Sequence, residues 1–173
     1  MASRGGGALN ARQLTGEIRD CREAGELARI LQEQRAVLNH IHVGAAWVCL
    51  VRMGGGRGGG DVKEVVEELQ DRTRDVLSQM GGREITNVMH SMAKLHTSRW
   101  LDAKMDRGLL DAMQRRATAT AGEFIPQNVA NVLWALATMG ERADRGLLEA
   151  MQRRATATAG GVTPQGVDRK SVV

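Results

Sequence analysis

Apolar residues recur along most of this chain at intervals of three and four, the spacing of one face of an α-helix. The clearest stretch is residues 126–140, PQNVANVLWALATMG, where Val129, Val132, Leu133, Leu136 and Met139 share a side. Pro126 suits a first helical turn and Gly140 a helix end, so the spacing predicts a helix between them. Residues 106–121 predict another, with Leu109, Leu110, Met113 and Ala117 on its apolar face. Residues 61–80 predict a third, faced by Val62, Val65, Val66, Leu69, Val76, Leu77 and Met80. Upstream, residues 14–34 read as a helical segment with Ile18, Leu27, Ile30 and Leu31 turned inward. The run GGGRGGG, residues 54–60, is a flexible insertion between helices. Arg57 inside it has the look of a minimal arginine-glycine element, although a plain loop accounts for it.

The helices repeat. Residues 106–129 and 144–167 are identical at 19 of 24 positions, at an offset of 38. Chance would give about one or two matches at ordinary residue frequencies, so the pair is a duplication. A fainter copy lies at an offset of 44: Val65 to Gln70 aligns with Leu109 to Gln114, and Ile85 to Met89 with Val129 to Leu133. The six extra residues fall between helices, around residues 96–105. A fourth match sets residues 43–54 against 129–140. The anchors Val43, Ile85, Val129 and Val167 are therefore spaced 42, 44 and 38. One helix pair cannot bury both of its apolar sides alone, so neighbouring pairs must stack. The expected fold is all-α, a right-handed-type α-solenoid of tandem helix pairs with at least six helices and no sheet. Its expected divisions are a flexible N-terminus over 1–12, a degenerate first repeat over 13–53, the glycine-rich insertion, and tandem repeats over 61–167.

Composition agrees with helix. Ala, Leu, Met, Gln, Arg and Glu dominate, and only Trp47, Trp100, Phe124 and Trp134 are aromatic. The formal net charge is +4 and the isoelectric point near 9.7, a mild excess that suits an acidic partner such as RNA and many other proteins besides. No apolar run is long enough to span a bilayer. The glycine-rich start, residues 1–9, has no apolar core and does not read as a secretory signal. At the other end the repeat should continue after Val167 with another apolar helix. The chain reads DRKSVV instead, so residues 168–173 are expected to be translated sequencing adapter, and the natural protein is expected to continue with further repeats.

The PQ…ANVLWALATMG and LL-[DE]-AMQRRA helices, with the 38-residue period, resemble octotricopeptide repeats, which are related to the repeat regions of the FAST-kinase-domain proteins. The resemblance covers roughly residues 37–167. It implies an RNA-binding protein of the chloroplast or mitochondrion acting in transcript maturation, stability, splicing or translation. It implies single-stranded RNA as partner, roughly one nucleotide per repeat, with other proteins of a ribonucleoprotein complex alongside. Longer members often end in a RAP domain, and none is visible in these residues. A protein-interaction scaffold without RNA contact is the alternative, since a solenoid serves either use.

Chemistry is sparse. Cys21 and Cys49 match no ligand spacing and read as small buried residues. His40 and His42 have no acidic or thiol partner at metal-ligand spacing, and no G-K-[ST] follows the glycine clusters. His90 and His96 lack a nucleophile or acid partner. No enzyme, metal or cofactor is expected. The informative positions lie beside the apolar stripe. Asn128, Asn131, Ala135 and Thr138 fall on one side of the best-formed helix; Glu84, Asn87, Ser91 and Lys94 are their upstream equivalents, and His42, Ala45, Cys49 and Arg52 the first set. Amides and hydroxyls there would read base edges, and Arg or Lys would hold phosphate. A solvated amphipathic face is the plain alternative. Arg115-Arg116 and Arg153-Arg154 recur on the other helix and would track a phosphate backbone; i,i+4 pairing with Asp111 and Glu149 accounts for them equally. Trp47 and Trp134 could stack on bases, but core packing is the favoured reading of both.

Overall fold

The computed structural model describes residues 10–54, 59–98 and 105–159. Eight α-helices pack against one another, and no strand is present among the described residues: α1 (Ala11–Asp20), α2 (Ala24–Glu33), α3 (His40–Arg52), α4 (Gly59–Val76), α5 (Gly82–Thr97), α6 (Arg107–Thr120), α7 (Pro126–Thr138) and α8 (Arg145–Ala159). Short 3-10 turns, Leu77–Gln79 and Ala121–Glu123, extend α4 and α6. Helix α1 begins inside the segment expected to be a flexible N-terminus, and α4 begins two residues inside the glycine-rich insertion. Residues 1–9, Arg57, Trp100 and 160–173, the last including the Val167 anchor and the suspected adapter, lie outside the described residues.

The stretch read as one helical segment, 14–34, is two helices broken at residues 21–23. No glycine or proline marks the break. The Cys21 N–H still bonds the Glu17 carbonyl, but the chain turns out at Cys21 (ψ 138°), and the Glu26 carboxylate accepts the Arg22 N–H at 3.1 Å. Both pieces bury one face, Leu14 and Ile18 in α1 and Leu27, Ile30 and Leu31 in α2.

The helices form two rows. α1, α3, α5 and α7 pack in succession, and α2 packs on α4 and α6 on α8, with α6 reaching α4 through its 3-10 turn. Contacts between α2 and α3, α3 and α4, α5 and α6, and α7 and α8 join the rows. One continuous core results, running from Leu14 through Trp47, Leu69, Met89 and Phe124 to Met151. Helix ends follow local chemistry. Asn10 and Asn39 cap α1 and α3, Asp106 caps α6, and Pro126 opens α7. Gly140 at φ 71° closes α7, so that the Glu141 N–H reaches the Leu136 carbonyl at 2.9 Å.

Side chains that recur in the sequence also recur as bonds between neighbouring even-numbered helices. Buried Gln70 accepts the Asp106 N–H at 2.8 Å, and buried Gln114 accepts the Asp144 N–H at 2.8 Å. The two aspartates cap the next helix in turn, each accepting an N–H three residues on, from Leu109 and Leu147, at 2.7 Å. Arg72 donates to the Arg35 carbonyl, Arg116 to the Met80 carbonyl and Arg154 to the Phe124 carbonyl, each tying down the end of the preceding helix. Gln70 and Gln114, and Arg72, Arg116 and Arg154, are the same two repeat positions. Asp106 and Asp144, Gln70 and Gln114, and Arg72, Arg116 and Arg154 are thus joints between neighbouring helix pairs.

Candidate functional site

Positions are counted from the anchors Val43 (α3), Ile85 (α5) and Val129 (α7). The sequence stripe occupied positions −1, +2, +6 and +9. Two of these turn into the structure. Position −1 starts the helix in every copy. The His42 Nδ1 accepts the Asn39 N–H at 3.1 Å, a Glu84 oxygen accepts the Gly81 N–H at 3.2 Å, and the Asn128 oxygen accepts the Ile125 N–H at 3.1 Å. His42 is also buried, and its Nε2 donates to the Ala11 carbonyl at 2.9 Å, fastening α1 to α3. Position +6, Cys49, Ser91 and Ala135, is buried in all three helices.

The outward set is −2, +2, +5 and +9. It comprises Ile41, Ala45, Val48 and Arg52 on α3, Arg83, Asn87, His90 and Lys94 on α5, and Gln127, Asn131, Trp134 and Thr138 on α7. At about 100° per residue the centre of this set lies roughly 50° from that of the sequence stripe. Position +5 supplies the large side chains: Val48 is 47% exposed and Trp134 45%. The two tryptophans therefore part company. Trp47, one position earlier in its helix, is fully buried and donates its indole N–H to Thr73 Oγ1 at 2.9 Å. Trp134 faces outward instead of joining the core, with its ring 4.9 Å from that of His90 at a tilt of 41°. Burial, and then the nearby Lys94 ammonium, hold the His90 pKa below its ordinary value, which favours the neutral ring.

Charge is divided between the rows. Every ion pair among the described residues involves α2, α4, α6 or α8, and none involves α3, α5 or α7. The sequences of α3, α5 and α7 hold one carboxylate, Glu84, against Arg52, Arg83 and Lys94. Arg52 is partly engaged, since it donates to the Arg19 and Cys21 carbonyls at the end of α1. Arg83 and Lys94 are exposed. A groove of about 340 Å³ opens on this face between α3 and α5, lined by Arg19, Val48, Arg52, Arg83 and Asn87 among others.

The structure thus gathers Arg52, Asn87, Lys94, Asn131 and Thr138 of the expected residues on the outward face, adds Arg83, Gln127, His90 and Trp134, engages Glu84 and Asn128 at helix starts, and turns His42 and Ser91 inward. Arg115 and Arg153 are exposed but stand on the even-numbered row, apart from that face, and Arg116 and Arg154 are engaged with carbonyls. Among the described residues no group of three or more His, Cys, Asp or Glu is placed to hold a metal ion, and no helix is long and apolar enough to cross a membrane. No protein-family model matches the chain, and no curated protein matches it either.

Proposed function

We propose that this chain is part of a right-handed-type α-solenoid that binds single-stranded RNA along the outward face of α3, α5 and α7. The observation that carries this reading is the outward set itself. Four positions recur on three successive helices, and at −2, +5 and +9 each copy carries a different side chain; the face has cations that form no ion pair among the described residues and almost no carboxylate. Amides at Asn87 and Asn131 offer donors and acceptors to base edges, while Arg83 and Lys94 offer charge to phosphates. The resemblance to octotricopeptide repeats points the same way. That resemblance implies a protein of the chloroplast or mitochondrion that acts in transcript maturation, stability, splicing or translation.

Salt titration of binding to the four homopolymeric RNAs tests the proposal. Each phosphate neutralised contributes about −0.7 to the slope of log affinity against log salt for a single strand. Arg83→Ala and Lys94→Ala should each flatten the slope by about that amount and weaken all four RNAs alike. A second reading rests on Ile41 and Val48, exposed apolar residues on α3 that suit a protein partner. Absence of RNA binding at low salt favours that scaffold reading.

A further inference from the structure

We infer that Trp134, with His90 beside it, is a stacking seat for one unpaired base of single-stranded RNA. The inference rests on the RNA-binding reading above and names a subsite within it. Its first support is position. Tryptophan is a mostly buried residue, and the same repeat has an inward place for it one residue earlier, where Trp47 is fully buried. Trp134 takes the outward place. Nor is it exposed merely because no described helix follows α7 in its row. The equivalent Val48 on α3 is 47% exposed and His90 on α5 partly exposed, although α5 packs on α3 and α7 on α5. Position +5 faces outward in all three copies.

The second support is what surrounds the indole. His90 sets an aromatic ring against it at a centroid distance of 4.9 Å, while nearly half of Trp134 stays open. Asn131 precedes Trp134 by three residues and Asn87 precedes His90 by three, so an amide lies one turn from each ring. Lys94 follows His90 by four residues, one turn in the other direction. A π-face, an amide and a cation within single-turn reach match the three parts of a nucleotide that a protein can hold: the base face, the base edge and the phosphate. Every base has a π-face, so the seat tolerates sequence and leaves discrimination to the amides.

The test compares wild type, Trp134→Ala and Trp134→Phe in the full chain. The probes are a short polyuridine oligonucleotide and an abasic oligonucleotide with the same number of phosphates. Trp134 makes no core contact comparable to that of Trp47, and circular dichroism checks that each variant keeps its helix. Trp134→Ala should weaken polyuridine binding roughly 5- to 150-fold, the range for loss of one base–aromatic stack. Trp134→Phe should restore most of the affinity. Neither change should alter abasic binding or the salt slope. Equal affinity of Trp134→Ala and wild type for polyuridine, with a normal salt slope, overturns the seat and leaves the RNA reading standing. Equal weakening on polyuridine and abasic strands overturns it too, because the loss then lies in the fold or the backbone contacts. Failure of wild type to bind any of the four homopolymeric RNAs at low salt overturns both readings.

Discussion

The duplicated segment contains its own control for the role of glutamine in the stack. Gln114 and Gln152 occupy the same place in nearly identical sequences, DRGLLDAMQRR and DRGLLEAMQRR. Gln114 is 4% exposed; its Oε1 accepts the Asp144 N–H at 2.8 Å, and its Nε2 donates to the Arg142 carbonyl at 3.3 Å. Gln152 is exposed. Methionine matches glutamine in length and helix propensity, so Gln→Met removes the hydrogen bonds with little change of shape. At position 114 the substitution strands a backbone N–H and a carbonyl. A buried group left unpaired costs about 1–3 kcal/mol, and the more apolar side chain returns part of that. A net loss of about 2 kcal/mol is expected for Gln114→Met, against a change within about 0.5 kcal/mol for Gln152→Met. Urea denaturation reads the difference as a lowered midpoint at unchanged slope for the first variant alone. Equal effects of the two substitutions, or a neutral Gln114→Met, would refute the idea that this residue joins one helix pair to the next.

Glycine offers a second comparison: a Cβ at Gly82 would lie 2.6 and 2.7 Å from ring atoms of fully buried Phe124, whereas one at Gly122 meets nothing within 4 Å. Gly82→Ala should therefore cost about 1–3 kcal/mol by overpacking, with Gly122→Ala neutral or slightly stabilising in thermal unfolding. His90 gives a pH dependence. Its folded pKa lies below the ordinary 6.5 because of burial first and Lys94 second, so the unfolded chain takes up the proton before the folded one. Stability should fall as pH drops from 6.5 toward the lower folded value and level off below it; the same acid titration of His90→Gln should lack this component, and identical curves would count against it. Asn131→Ala should shift the relative affinities for the four homopolymeric RNAs at fixed salt, and unchanged ratios would leave Asn131 as a solvated side chain.

Much of the fold was legible because duplication leaves so plain a mark. The 38-residue offset, the paired helices and their apolar anchors all came from the sequence pattern, and the anchors Val43, Ile85 and Val129 are buried as expected. The rotation of the odd-numbered helices was not legible. The sequence stripe and the outward set share positions +2 and +9, and they differ only in whether −1 and +6 or −2 and +5 complete them. Residue type pointed the wrong way. Ser91 is polar yet buried, while Ile41, Val48 and Trp134 are apolar yet exposed. A signal was available at −1: Asn39 and His42, Gly81 and Glu84, and Ile125 and Asn128 are each three residues apart, the spacing of a capping box. The break between α1 and α2 had no such signal, since the residues between them, Cys21 to Glu23, include neither glycine nor proline.

The two rows differ in what they hold constant, and that difference bears on function. The even-numbered helices repeat Gln70 and Gln114, and Arg72, Arg116 and Arg154, because each bonds a neighbouring segment at a fixed distance. A change at one of these positions would unfasten a junction. Of the outward positions of α3, α5 and α7, Arg52 alone bonds a neighbouring helix end among the described residues, and −2, +5 and +9 differ in every copy. Free variation on a surface without a partner favours side chains that water solvates well. Here the same positions hold Ile41, Val48 and Trp134 beside Arg83 and Lys94. Exposed indole and aliphatic area is unfavourable in water by about 25 cal/mol per Å², and a bound surface would relieve it. The constant joints and the variable, partly apolar outward face together support a scaffold whose contacts lie along α3, α5 and α7. Which contacts these are is decided by how Trp134→Ala acts on a strand with bases and on one without.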